Sequence, residues 1–293
     1  MIKPILLSFL LVSLISCSHT NKGVRVQSNQ ADAFSQESFW RYDQTRLSSI
    51  PKSDQLEQGE RLCYEKKIEE GINHITKQSA QYDKTPAYWN HLSHCYYLAN
   101  DYAKSSFALD MGLAQKANNR ELAPLFNNKA ILLHRNRHFD QAKVNYELAI
   151  KNAPGTLTPQ YNLAQLYLQF SHFEKAGSIL KVLNQRYPND LEIRAHLGIV
   201  YLGLGQNKLA LQVFNSLDEK HSRRSDMAAY IAIAHIENQN PEEAKKVLLR
   251  QASTRDPKIR SMTLMAQKRI DFLMEEQRKL AEEQKRLPAE VQK

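Results

Sequence analysis

From Ala123 to about Lys258, small and bulky apolar residues return every 34 positions without an insertion. If each unit is numbered so that Pro154 is position 32, Ala130 falls at position 8, Leu133 at 11, Ala142 at 20, Tyr146 at 24 and Ala149 at 27. One period on stand Ala164, Tyr167, Ala176, Leu180, Leu183 and Pro188. The next period brings Gly198, Tyr201, Ala210, Phe214 and Leu217, and a fourth brings Ala232, His235, Ala244 and Leu248. A period of this length predicts stacked supersecondary units, because no single unit can bury its own apolar face. Within each unit the spacing predicts two antiparallel helices, drawn together where the side chains are small and filled by the bulky ones beside them.

The same phase extends upstream. Trp89 takes position 4, Leu92 and Ser93 take 7 and 8, and Tyr96, Ser105 and Leu109 take 11, 20 and 24. Three extra residues near Asn118 to Glu121 predict a longer loop before the next unit. One step further back, Gly59, Leu62, Gly71 and Ile75 occupy positions 8, 11, 20 and 24 and read as a degenerate first unit. The pattern resembles the tetratricopeptide repeat (TPR), whose signature places Trp near position 4, small residues at 8 and 20 and large apolar ones at 7, 11 and 24. That resemblance implies an all-α superhelical solenoid over 52–257, of about five clear repeats plus the degenerate first one. Residues 258–293 are expected to form a capping helix and a charged extension, with Met262, Met265 and Ala266 continuing the register and Glu275 to Lys279 and Glu282 to Arg286 placed for i,i+4 pairs.

The other end of the chain reads differently. Lys3 precedes an apolar run, "PILLSFLLVSLIS", too short to span a bilayer and shaped like a secretory signal over residues 1–16. Leu14, Ile15, Ser16 and Cys17 resemble the lipobox of bacterial lipoproteins, which implies lipidation at Cys17 and attachment to the membrane through that anchor. Ser18 in place of Asp implies the outer membrane, facing the periplasm. Residues 17–51 would be a tether spanning on the order of 30 Å if flexible, and "FWRYDQ" at 39–44 is expected either to pack on the first repeat or to bind a partner.

Net charge changes the picture little. Residues 1–16 hold Lys3 and no acid, so the formal +9 becomes +8 without them. A positive balance concerns encounter with anionic partners rather than fold. Nucleic acid is not expected, since no compact basic block interleaved with aromatics occurs; "KHSRRS" at 220–225 reads as a solvated loop. Cys63 and Cys95 lie 32 residues apart and so on neighbouring helices, compatible with a disulfide in an oxidising compartment or with two small buried residues.

No catalytic constellation is legible. His91, His94 and Cys95 cluster, and His134 and His138 stand four apart, but no third ligand completes either set, so no metal, cofactor or small-molecule substrate is expected. By the TPR resemblance, positions 2, 5, 9, 12 and 13 line a concave groove. The lining would comprise Asn90, His94 and Tyr97, then Asn127, Ile131, His134 and Arg135, then Tyr161, Gln165 and Leu168, then Ile199 and Leu202, then Ile233 and Ile236. The groove is expected to receive a peptide or helix of an envelope protein, unless the C-terminal helix folds back over Ile233 and Ile236. In size, lipidation and repeat number the chain resembles the pilotin lipoproteins that assist pilus and secretin assembly. The alternative is a repeat lipoprotein that adapts peptidoglycan hydrolases or proteases.

Overall fold

The computed structural model describes residues 55–286, which form fifteen helices and no strand. The signal segment, Cys17 and "FWRYDQ" lie outside the described residues. In chain order the helices are α1 Gln55–Tyr64, α2 Ile68–Thr76, α3 Ser79–Tyr82, α4 Pro86–Leu98, α5 Tyr102–Leu113, α6 Asn119–Arg135, α7 Phe139–Asn152 and α8 Leu157–Gln169. They continue as α9 Phe173–Arg186, α10 Leu191–Gly203, α11 Asn207–Phe214, α12 Glu219–Ser222, α13 Ser225–Glu237, α14 Pro241–Arg250 and α15 Pro257–Arg286.

The period is written in the backbone. Left-handed φ occurs at Lys66, Asn100, Arg137, Ser171, Gly205 and Gln239, and the steps between these positions are 34, 37, 34, 34 and 34 residues. Each sits where the first helix of a hairpin ends, and its turn closes with six-to-one backbone bonds such as His138 N to Leu133 O and Gln206 N to Tyr201 O. That geometry is the C-terminal helix stop that satisfies the last carbonyls and reverses the chain. Only Gly205 is a glycine, so five non-glycine residues accept the less favoured left-handed region to keep the turn.

The 37-residue step corrects one expectation. The extra residues do not lengthen a loop; they add a turn to the start of α6, which runs 17 residues where α4, α8, α10 and α13 run 13. Asn118 explains the extension. Its side chain accepts from the backbone N–H of Arg120 and Glu121 while the Glu121 carboxylate accepts from Asn118 N–H, a reciprocal cap that starts the helix early.

The described residues fall into two compact units, 55–166 and 167–286. In the first, α1 pairs with α2, α4 with α5 and α6 with α7, each hairpin packing on the next. The small residues at positions 8 and 20 meet as the pattern requires. Ser105 Oγ donates to Ser93 O at 3.0 Å across α4 and α5. In the first hairpin a Cβ on Gly71 would stand 2.5 Å from the carbonyl oxygen of Gly59 and 2.3 Å from Cys63 Sγ. No side chain fits there.

Two ties hold α1 to α4. Cys63 and Cys95 form a disulfide, with Cα atoms 5.4 Å apart, inside a cluster of Leu56, Ile75, Tyr88 and Leu92. Beside it Glu60, only 2% exposed, is gripped by the Nδ1 atoms of His91 and His94, one on each carboxylate oxygen. Burial by itself would raise the Glu60 carboxyl. The imidazoles of His94 and His91 outweigh that and hold it far below the usual carboxylate range.

In the second unit, α10 packs on α9, α11 and α13, and α13 on α14. The apolar face left by the last hairpin is covered by α15: Ala266, Ile270 and Leu273 join Ala232, Ile236, Ala244 and Leu248 in one cluster, with Ile233 and Met274 packed against it. "KHSRRS" is not a solvated loop throughout. It forms α12 and then Arg224, whose guanidinium grips Asp226 through both Nε and Nη2 and reaches Glu192 Oε1 at 2.5 Å. Burial works against that charge, but Asp226 and Glu192 keep it firmly protonated.

Two outcomes follow from this packing. Gly71→Ala should lower the unfolding free energy by about 1–3 kcal/mol, because the methyl group meets backbone that has no room to yield; an unchanged denaturation midpoint would contradict the close approach of α1 and α2. Glu60→Gln should destabilise by about 3 kcal/mol at pH 5, the scale for breaking a buried ion pair. Because the folded-state carboxyl titrates below its unfolded value of about 4.3, its contribution is present above that pH and is lost as the pH falls toward the folded value. The stability gap between native and variant should therefore be wide at pH 5 and narrower at pH 2.5, and an equal gap at both values would contradict the assignment.

Candidate partner-binding surface

The residues expected to line a groove separate into a buried majority and an accessible few. In the first unit Asn90, His94, Asn127, Ile131, His134, Tyr161 and Gln165 are buried, whereas Tyr97 and Arg135 remain partly exposed. In the second, Leu168, Ile199, Leu202 and Ile236 are buried and Ile233 is half-buried under α15. The supposed aliphatic half of the groove is thus core. Ile199 and Leu202 belong to a helix packed by three neighbours, and α15 folds over Ile233 and Ile236.

The buried polar residues have structural partners. Asn162 Nδ2 donates to Asn127 Oδ1 at 3.0 Å, Asn127 Nδ2 to Asn128 Oδ1 at 3.1 Å, and Asn128 Nδ2 to Asn90 Oδ1 at 2.8 Å. This chain of amides joins α8, α6 and α4 and meets the requirement that buried polar groups be hydrogen-bonded. Asn128 and Asn162 were not singled out in the sequence, although they stand one period apart and the recurrence could have revealed them. Three residues beyond Asn162, buried Gln165 leaves both amide atoms without a partner among the described residues.

The histidines resolve similarly. His91 and His94 grip Glu60, and His134 stacks edge-on against Phe139 and Tyr146, with centroids 5.6 and 6.5 Å away. His138 sits exposed in the turn before α7. Glu60 itself was missed, since a lone acid 31 residues from its partner has no local signature. Among the described residues no group of three His, Cys, Asp or Glu side chains is arranged to hold a metal ion.

What remains accessible is compact. Tyr97 lies in the last turn of α4, Tyr102 begins α5 and Arg135 ends α6, all partly exposed. The Tyr97 and Tyr102 rings meet edge-to-face at 5.6 Å, and the Arg135 guanidinium lies 4.0 Å above the Tyr102 ring. Stacking on the ring face orients the guanidinium while its edge N–H groups stay free to donate, and Arg135 has no carboxylate partner among the described residues. Such an edge takes a carboxylate or a peptide carbonyl, and the two rings supply rigid apolar area beside it.

No protein-family model and no curated protein matches the chain. Solved structures do. YrrB, described as a TPR protein with an unusual peptide-binding site, is 17% identical with a TM-score of 0.52, over 66% of this chain and 97% of that one. The C-terminal part of a TPR repeat-containing protein from Cytophaga hutchinsonii is 16% identical with a TM-score of 0.51, over 67% and 77%. The anaphase-promoting complex assembly Cut9–Hcn1 is 12% identical with a TM-score of 0.59, over 80% of this chain and 48% of that one. At such identities the likeness speaks of fold, and with the 34-residue turn period it makes this chain an all-α TPR solenoid.

Proposed function

We propose that the chain is a non-enzymatic scaffold for protein–protein interaction, and that a partner peptide or helix engages the N-terminal unit at Tyr97, Tyr102 and Arg135. The carrying observation is the stacked Arg135, an oriented donor without an acid partner among the described residues, on the face where the repeat pattern places its recognition residues. Aromatic and Arg side chains are the types that dominate binding energy at interfaces. YrrB, of the same fold, is described as having a peptide-binding site, and the proposal extends that capacity to this chain.

The setting we propose is the bacterial envelope, with Cys17 lipidated, the chain held at the outer membrane and facing the periplasm, and the partner a component of a pilus- or secretin-type machine. The Cys63–Cys95 disulfide supports an exported chain, because such bonds persist in oxidising compartments.

The test is a crosslinking pull-down of the native chain from its own envelope against Arg135→Glu and Tyr97→Ser variants. Both positions are partly exposed, so the thermal midpoint should stay near native. One envelope component should be recovered with the native chain and fall about tenfold or more with either variant, as expected for a hot spot. A pilus or secretin component would support the assembly role, and a cell-wall hydrolase or protease would replace it with an adaptor role. Equal recovery with native and variants would overturn the site.

A further inference from the structure

The outward face of α15 carries large apolar side chains that stay exposed among the described residues. Its inward stripe, Met262, Ala266, Ile270 and Leu273, is buried, and the last three of these pack against α13 and α14. A terminal cap is expected to turn a polar face outward. Here Leu264, Met265 and Phe272 are 57%, 41% and 51% exposed. Residues 264, 268 and 272 follow one another at four-residue steps and 265 and 272 at seven, so the three apolar side chains share one arc with Lys268 between them.

Charge distinguishes this arc from a stray apolar patch. Over 255–272 the chain carries Arg255, Lys258, Arg260, Lys268 and Arg269 against Asp256 and Asp271, a balance of 5 − 2 = +3. Arg260, Lys268 and Arg269 are exposed, and the Arg269 guanidinium lies 5.1 Å over the Phe272 ring. Past Phe272 the composition changes. Glu275, Glu276, Glu282 and Glu283 balance the remaining bases, and Leu280 is the one large apolar side chain from 276 to 284.

We infer that the outward face of α15 over residues 260–272 docks on the surface of an anionic lipid bilayer. The far side of a helix is convex and suits a flat partner. Unbranched or γ-branched side chains interleaved with long bases can sink into the boundary between headgroups and acyl chains while the charged tips stay among the phosphates. An acidic protein would need fixed acceptors opposite mobile bases; a fluid anionic surface needs none. The basic residues supply attraction within a Debye length and the apolar ones supply the holding contact.

The experiment places a reporter in the face: Phe272→Trp in the full chain, mixed with vesicles whose lipids carry brominated acyl chains. Bromine quenches tryptophan only near contact, and the unsubstituted chain, which contains Trp40 and Trp89, supplies the background. With phosphatidylglycerol vesicles the added fluorescence should be quenched about twofold and shifted to shorter wavelength, whereas with phosphatidylcholine it should not. Adding Lys268→Glu and Arg269→Glu, or raising salt from about 0.1 to 1 M so that the Debye length falls from about 10 to 3 Å, should abolish the effect. An anchor elsewhere in the chain would hold both vesicle types alike, so the difference reads this face. No added quenching with phosphatidylglycerol overturns the inference, as does equal quenching with both lipids. Binding of poly-glutamate without vesicle quenching would overturn it in favour of an acidic protein.

Discussion

Two packed helices come closest where the facing side chains are small, and the hairpins here depend on that constraint. Ser93 against Ser105 and Gly59 against Gly71 set the approach, and Gly198 does the same under the ring of Phe214, where a Cβ would meet ring carbons at 2.5 Å. Once the approach is set, bulky residues such as Leu109, Tyr146 and Leu180 fill the space to either side and become fully buried. The left-handed turn recurs at the same phase because the reversal has to deliver the second helix to the same contact. Five non-glycine residues tolerate that backbone, so the contact outweighs the local conformational preference.

The first and last hairpins among the described residues are secured by different chemistry. The degenerate first hairpin lacks several large apolar residues of the later units and is secured to α4 by a disulfide and by a carboxylate between two imidazoles. Neither tie depends on extensive apolar burial, which suits a small hairpin with little to bury. The other end presents a full apolar face and receives a long helix. Its 30 residues exceed what the last hairpin can cover, and this excess leaves a charged helical extension beyond Leu273.

Polar residues inside the stack serve the packing before they serve any partner. The amide chain from Asn162 to Asn90 crosses three helices and fixes their lateral order more narrowly than interchangeable apolar contacts would. Arg224 plays a comparable part in the second unit, joining α13 to Glu192 on α10. Tyr97, Tyr102 and Arg135, drawn from three helices whose ends converge, stay partly exposed beside that framework.

The sequence by itself determined the fold class, the period, the hairpin in each unit and the helix at the C-terminal end, because all of these follow from the spacing of small and large side chains along the chain. It placed Cys63 and Cys95 on neighbouring helices, and only the packed arrangement decided that their Cα atoms come within bonding reach. It could not decide which groove positions stay open, since a residue's phase on its own helix says nothing about what a later helix covers. Ile233 and Ile236 look exposed until α15 is laid on them, and Ile199 looks exposed until α10 is enclosed by three neighbours. The period could mark Asn128 but not its pairing with Asn90, nor that of Glu60 with His91, which are contacts across 38 and 31 residues that form only on packing. Period is a local property and survives in one dimension; occlusion and pairing are properties of the third.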